Sequence, residues 1–423
     1  MRRLLFVILC VILGAGAAAG QTTATPAPAE TIKALLERID RLEARLSALE
    51  GKLSSQPAAC SMPANFSAGH NAVVQRGDMG VEPPQEPKIP TEVAVAEQEK
   101  ATYPSLQVRG FADVDFSATD QRGSTSGFNL GQFVLHIASP LSKKVSYFGE
   151  ISFTAQPTGF NVEVERSVIR YDYNDYFKLS FGRYHTPINY WNTAFHHGLW
   201  LQTTISRPEM IQFGGRFLPV HFVGFLAEGN VPSGGAGLGY NVGLGNGRGS
   251  IISRAGDAGD VNNNRAWLLS LFSRPAAVRG LQVGGAVYRD KLTPVSRPEV
   301  RELITSAHII WAREKPEFLA EFANVHHRNI STGQVFNSQA FYVQVAYRLP
   351  GLDERLKPYY RFEYIHTPIG EPVLAVPDLV GSTVGIRYDI SEYAAFKGEY
   401  RNTRRQTGEP RVNGLFIQTS FTF

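Results

Sequence analysis

From residue 106 onward the chain alternates. Residues 106–116, 145–153, 177–183, 280–289, 338–349, 357–366, 380–390 and 394–403 interleave apolar and polar positions, and the final stretch does so to its last residue. There Leu415, Ile417, Phe421 and Phe423 are separated by Gln418, Ser420 and Thr422. A period of two marks a strand with one oily and one wet face. Aromatic residues recur near the strand ends. Tight connections (Asn174-Asp175, Lys315-Pro316, Ser391-Glu392) alternate with longer polar ones. If 184–219 is one long loop, 232–237 a turn and 257–265 another long loop, sixteen strands result; pairing of 251–254 would make eighteen. Residues 105–423 then allow about 20 residues per strand and connection, which suits strands of ~9 to 11 residues crossing a bilayer. An even count returns the chain to the side it entered from. The prediction is an all-β domain, a 16-stranded antiparallel transmembrane β-barrel over 105–423. A soluble sandwich is the competing architecture, but so many consecutive hairpins favour closure.

Two other patterns precede the strands. Over residues 30–53 the apolar positions Ile32, Leu35, Ile39, Leu42, Leu46, Leu49 and Leu53 keep a 3-4 spacing, which defines the seam of a short α-helical coiled coil. In a parallel assembly Arg38 would face Glu43 of a neighbouring chain, and Arg45 would face Glu50. A single amphipathic helix packed on the domain would show a wider stripe. At roughly 33 Å the coil is short, and it does not by itself set the number of chains. Ahead of it, Arg2 and Arg3, an apolar run from Leu4 to Leu13 and small residues through Gly20 have the order of a secretory signal, cleaved near Gly20. The run is too short to span a bilayer as a helix. Residues 54–104, rich in Pro, Ala, Glu and Gln, read as an extended tether.

Composition changes this picture little. Charged residues make up 19% of the chain, as in a soluble protein, but a barrel shows lipid only every second strand residue. Removing Arg2 and Arg3 from the 42 basic residues leaves 40 against 38 acidic ones, so the mature chain is near neutral and a nucleic-acid partner is not expected. Cys10 leaves with the signal and Cys60 stands alone, either free or paired between chains.

Three stretches carry a resemblance. The terminal strand ending in Phe423 resembles the closing strand of Gram-negative outer-membrane barrels, whose last Phe is read by the barrel-assembly machinery. Together with Leu179-Ser-Phe-Gly-Arg-Tyr-His-Thr-Pro187 and Tyr240-Asn-Val-Gly-Leu-Gly-Asn-Gly247, it is similar to the phosphate-selective porin O/P-like group over about 105–423. The resemblance implies a homotrimeric channel in the outer membrane, an N-terminal coil projecting into the periplasm, and a third outer loop folded into the lumen as a constriction. By position that loop is 184–219, and it holds His185, Tyr190, Trp191, His196, His197, Trp200, Arg207, Glu209 and Arg216.

Strand phase names the residues expected to line the lumen. Arg361 and Glu363, Arg387 and Asp389, and Lys397, Glu399 and Arg401 fall inward on three neighbouring strands. Arg109, Asp113, Asp115, Glu150, Arg166, Arg170, Lys178, Glu321 and Arg348 join them and leave a small basic excess. Rings of charge bias which ions pass; the plainer reading is that opposite charges pair across strands. Glu163 and Glu165 are out of phase with Arg166 and Arg170, which calls for a bulge or a changed assignment. Within the loop, Arg207 and Arg216 are expected to meet anions, while Trp191 and Trp200 pack the loop to the wall or offer stacking faces. His196 and His197, adjacent in extended chain, would point apart, and no carboxylate stands at a helical ligand spacing, so no metal is expected. His326-His327 reads as surface decoration. Gly123-Ser-Thr-Ser-Gly127 imitates a nucleophile elbow but has Thr125 at the nucleophile position. With no nucleotide loop, the chain implies no cofactor. The expected function is passive diffusion of ions and small hydrophilic solutes through the bilayer, with a weak anion preference. A plugged barrel acting as a tether or adhesin is the alternative, and an outer-membrane hydrolase a further one.

Overall fold

The computed structural model describes residues 103–213, 216–252, 260–406 and 408–423. The signal segment, the coiled-coil seam from Ile32 to Leu53 and the tether up to residue 102 lie outside the described residues.

Alternation becomes sixteen strands. They are β1 (Gln107–Thr119), β2 (Gly127–Pro140), β3 (Val145–Gln156), β4 (Gly159–Asn174), β5 (Phe177–His185), β6 (His221–Val231), β7 (Leu238–Asn246) and β8 (Ala266–Ser273). The second half adds β9 (Leu281–Leu292), β10 (Val300–Trp311), β11 (Glu317–Asn329), β12 (Val335–Ala346), β13 (Leu356–His366), β14 (Leu379–Asp389), β15 (Ala394–Arg405) and β16 (Val412–Thr422). Each pairs antiparallel with its neighbours in sequence, and β16 closes on β1 with Phe111 opposite Thr422. Ile251 and Ile252 fall in an irregular segment and β7 pairs directly with β8, so the count among the described residues is sixteen.

Closure leaves no strand edge unpaired, the condition for β structure in hydrocarbon. The faces are inverted relative to a soluble protein. Val114, Phe133, Phe225, Leu271, Val384 and Leu415 are exposed on the outside, while Glu150, Glu321, Arg361, Lys397 and Gln418 are buried within. Tyr171, Tyr173, Trp311 and Tyr393 stand exposed toward the end that carries the short turns, where an aromatic girdle belongs.

Phe423 completes the seam. Its N–H donates to Gly110 O at 3.0 Å and its carbonyl accepts from Gly110 N–H at 2.8 Å. The ring lies over Gly110, where an added Cβ would come within 2.2 Å of it, and 5.8 Å from the Phe133 ring. Gly110→Leu is therefore expected to expel the terminal ring and lower the yield of closed barrel. The check is the fraction of chain showing the heat-modifiable shift of a folded barrel on a gel; an unchanged fraction refutes it.

Two departures from regularity position the site. In β4, Glu150 of β3 pairs with Arg166 and Ile151 with Val164, which leaves Glu165 as an extra residue. This bulge accounts for the phase conflict, since it turns both Glu165 and Arg166 into the barrel, where both are buried. In β5, Gly182 has φ +143°, and a Cβ there would lie 2.0 Å from Ser167 O. Only glycine lets β5 press so close to β4 just before the chain leaves the wall.

Between β5 and β6, loop L3 (residues 186–220) folds into the lumen. Tyr184 and His185, assigned to the loop from sequence, instead finish β5. L3 carries one helical turn, α1 (Tyr190–Ala194), and a 3-10 turn at Glu209–Ile211. Its apolar residues Ile188, Trp191, Met210, Ile211, Phe217 and Leu218 join Phe222, Leu268, Tyr288, Ile304 and Leu319 of the wall in one buried cluster inside the barrel.

Candidate functional site: a loop latched across the lumen

L3 is held by two kinds of contact. The first is apolar. Trp191 is fully buried, 4.9 Å from the Phe195 ring and edge-on to Tyr342 at 5.8 Å. Its backbone N–H donates to Glu321 Oε1 at 2.7 Å, so α1 sits on β11 with a side-chain carboxyl accepting at its start. Tyr190 is buried beside it in the same cluster.

The second is a polar latch supplied by the residues that strand phase marks as pore-lining. Arg361 donates to Ser206 O (2.8 Å), Thr204 Oγ1 (3.2 Å) and Arg207 O (3.2 Å), contacts Ser206 Oγ, and pairs with Glu363 at 3.1 Å. Arg387 donates to Trp200 O (2.8 Å) and Gln202 O (3.0 Å) and pairs with Asp389 at 2.7 Å. Lys397 donates to Gln202 O (2.8 Å), Thr204 O (3.1 Å) and Leu199 O. Glu399 accepts from Ile205 N–H (2.6 Å), Ser206 N–H (3.2 Å) and Tyr359 OH (3.0 Å), with Arg401 at 2.8 Å. Glu363 accepts from Glu209 N–H at 3.0 Å, and Arg405 pairs with Glu209 at 2.8 Å. A loop carries many backbone groups that must find partners once water is excluded, and this wall provides them.

That arrangement corrects part of the sequence reading. Arg361, Lys397 and Glu399 face inward but are no more than 1% exposed, because L3 covers them. Arg207 does not meet solutes either. It is buried, donates to Ile211 O (3.0 Å) and His196 O (2.8 Å), and lies 3.9 Å over the Phe213 ring. Burial lowers its pKa to about 9. Arg216 is exposed. Trp200 is half-buried, with Arg387 5.9 Å from its ring. Arg348 lies beyond β12 in a short turn, tied to Glu314 (2.7 Å) and Asp389 (2.6 Å), so it belongs to the rim.

The other inward residues are scattered round the wall. Arg109 is exposed at the start of β1. Asp113 is buried and accepts from Gln132 N–H at 3.2 Å, while Asp115 accepts from Gln418 Nε2 at 2.9 Å. Arg166 meets Glu150 and lies 4.3 Å over Phe148. Arg170 pairs with Asp172 (3.0 Å) and Glu228 (3.5 Å), and Lys178 keeps partial exposure.

The histidines differ most from expectation. His196 and His197 follow α1 in a bend rather than in extended chain, so their rings converge, with centroids 4.6 Å apart. His185 stacks on His196 at 3.8 Å, and Glu165, His221 and Arg183 complete the group. Burial pushes the His196 imidazole well below its ordinary range. His221 and Glu165 were absent from the sequence-based site because the strand pairing of His185 with His221 and the β4 bulge bring them there. His327 is likewise buried, at 2.9 Å from Glu302 and 2.6 Å from Glu371. Of that pair only His326 is solvent-facing, with Asn337 at 3.0 Å. The Gly123–Gly127 stretch lies at a hairpin tip between β1 and β2.

Such a wall and inward loop define a sixteen-stranded porin-type barrel. No model of a protein family matches the sequence, and no curated protein matches it. Solved structures do. An anion-selective porin from Comamonas acidovorans superposes with a TM-score of 0.57 at 11% identity, over 76% of this chain and 100% of that one. The outer-membrane channel DcaP of Acinetobacter baumannii gives 0.52 at 13% identity, over 76% and 97%. The trimer form of OmpT, an outer-membrane protein of Vibrio cholerae, gives 0.53 at 12% identity, over 76% and 99%. The fold is theirs.

Proposed function

We propose that the protein is a general outer-membrane porin through which ions and small hydrophilic solutes diffuse passively. The observation that carries this reading is the long third loop, turned inward and fastened to the far wall by buried charges of β13–β15. A loop so held narrows the bore to a fixed aperture without a moving part. The structural neighbours named as a porin and a channel support the same reading, and the trimer form of one supports a homotrimer.

A weak preference for small anions, inorganic phosphate among them, is the finer part of the proposal. Wall charges taken up by L3 no longer face solutes, so the bias rests on groups that keep exposure. Lys178, Arg216, Arg401 and Arg405 do so on the basic side, against Asp115 and Glu228. The exported chain would be delivered by its signal, inserted through the Phe423 strand and would hold its coil in the periplasm.

Single-channel recording of the full mature chain in a planar bilayer tests both parts. Conductance in triplet steps, with a reversal potential of anion sign across a KCl gradient, is expected. A potential of cation sign overturns the anion preference alone. Folded, inserted protein with no conductance overturns the porin reading. It would favour a plugged barrel serving as a tether, to which the apolar packing of L3 within the lumen also conforms.

A further inference from the structure

The latch on β13–β15 leaves unexplained a second buried cluster, on the β2–β5 side of the lumen. The donor atoms of Glu165, His196 and His197 lie within 4.8 Å of one another, and all three residues are buried. His196 Nε2 has no hydrogen-bond partner, Glu165 Oε2 meets only His221 Nε2 at 2.9 Å, and His197 Nε2 faces only Glu165 Oε1 at 3.2 Å. Buried polar atoms are seldom left so, and a group of them converging on one point calls for an occupant.

The hydrogen bonds behind these atoms say what the occupant is. Asn192 Nδ2 donates to Thr186 O (3.0 Å) and Val220 O (2.9 Å), which turns its Oδ1 toward His196 Nδ1 at 2.8 Å. An oxygen there accepts, and at 2.8 Å it is closer than Arg207 Nη2, which also approaches Nδ1 at 3.3 Å; the shorter contact puts the His196 proton on Nδ1, so Nε2 presents a lone pair. Gln132 does the same for His197. Its Nε2 donates to Thr154 Oγ1 (3.1 Å), leaving Oε1 toward His197 Nδ1 at 3.3 Å. Ser152 Oγ donates to Glu165 Oε1 at 2.8 Å and holds the carboxylate with Oε2 turned toward the histidines. A ring N–H fixed by an amide oxygen, with the other nitrogen aimed at a shared point, is how proteins orient metal-binding histidines. Without a cation between them, two lone pairs face carboxylate oxygens at 3.9 Å (His196) and 3.2 Å (His197), which is repulsive.

We propose that Glu165, His196 and His197 form a two-histidine, one-carboxylate site for a divalent first-row transition ion such as zinc. His185 packs on the face of His196 at 3.8 Å with its Nε2 toward Glu150 (3.5 Å), and stacked rings aim their in-plane lone pairs in parallel, so it does not complete the set. Metal–nitrogen bonds of ~2.0–2.1 Å put tetrahedral donors about 3.4 Å apart, so these three, within 4.8 Å of one another, draw together when the ion binds. His221 stays outside the ligand set. Arg183 Nη2 donates to its Nδ1 at 3.0 Å, so its Nε2 carries the proton, 2.9 Å from Glu165 Oε2, and steadies the carboxylate. The guanidinium groups of Arg183 and Arg207 border the site and oppose a dication, which makes this site weaker than a closed structural zinc centre. The bound ion ties the β4 bulge to L3, a second fastening across the lumen from the latch. This holds whether or not the barrel conducts.

The test uses untagged, full mature chain in detergent, stripped with a chelator and titrated calorimetrically with Zn2+. One ion per chain is expected. Glu165→Gln and His197→Gln, each checked for the folded-barrel gel shift, should weaken binding at least about 10-fold, the range seen when a metal site loses a supporting group. His326→Ala, which removes an outward-facing histidine, should change nothing. X-ray absorption at the zinc edge of the unmutated protein needs no variant and should show imidazole nitrogens with one carboxylate. Absence of saturable binding, equal binding by the folded variants, or a thiolate shell from Cys60 overturns the proposal.

Discussion

Arg361→Met is expected to release the third loop while leaving the barrel closed. Methionine keeps much of the side-chain volume but removes every donor, so Ser206 O, Thr204 Oγ1 and Arg207 O lose a partner and Glu363 loses its counter-charge. Arg361 is 1% exposed, and water cannot replace it while the loop stays docked. Breaking a buried ion pair from one side costs about 3–5 kcal/mol, and each 1.4 kcal/mol is about tenfold in an equilibrium. The docked loop should thus give way to undocked states, and single-channel current should become larger and noisier. The measurement is conductance with its variance at fixed voltage, beside the folded-barrel gel shift. A quiet trace of unmutated amplitude from folded Arg361→Met would mean that the latch does not hold the aperture. The barrel strands themselves should be little affected, because β13 keeps its pairing with β12 and β14.

Trp191→Ala attacks the apolar anchor. The side chain is fully buried between Phe195 and Tyr342, and truncating such a group costs about 3–5 kcal/mol in transfer and cavity terms. The Trp191 N–H bond to Glu321 belongs to the backbone and survives only if α1 stays seated. The expected result is a loop cut by added protease in a barrel that still resists detergent unfolding, with loss of near-ultraviolet dichroism from the packed aromatics. Protease resistance equal to that of the unmutated chain would place the anchoring energy in the polar latch alone. Trp191→Ala combined with Arg361→Met should be worse than either, since the two act on different stretches of L3.

Much of the barrel was legible because lipid imposes a strict rule on sequence. One face of every strand meets hydrocarbon, so the period of two survives over many residues, and the turn lengths follow from the side on which the chain reverses. Residues 145–153 and 394–403, read from alternation alone, begin where β3 and β15 begin. Even the β4 bulge left a trace, in the clash of phase between Glu165 and Arg166. The role of the inward residues was less legible. Phase tells that Arg361 and Lys397 point inward, but whether they meet water or the backbone of L3 depends on a loop some 150 to 200 residues away in sequence, as the Arg361–Ser206 and Lys397–Gln202 bonds show.

The histidines make the same point more sharply. His196 and His197 were read as diverging because extended chain alternates its side chains, yet a bend after a single helical turn sets the rings together, and strand pairing brings His221 opposite His185. By itself, then, the sequence determined the barrel and its outward face, since these follow from local periodicity set against a uniform solvent; sixteen strands stood beside eighteen, and the stretch that folds inward came from the resemblance. Only the tertiary structure decided which inward charges became a latch, which stayed exposed and which side chains converged behind the loop. Those outcomes depend on contacts between distant segments, and no local pattern encodes the path of a loop whose backbone groups are satisfied by the opposite wall.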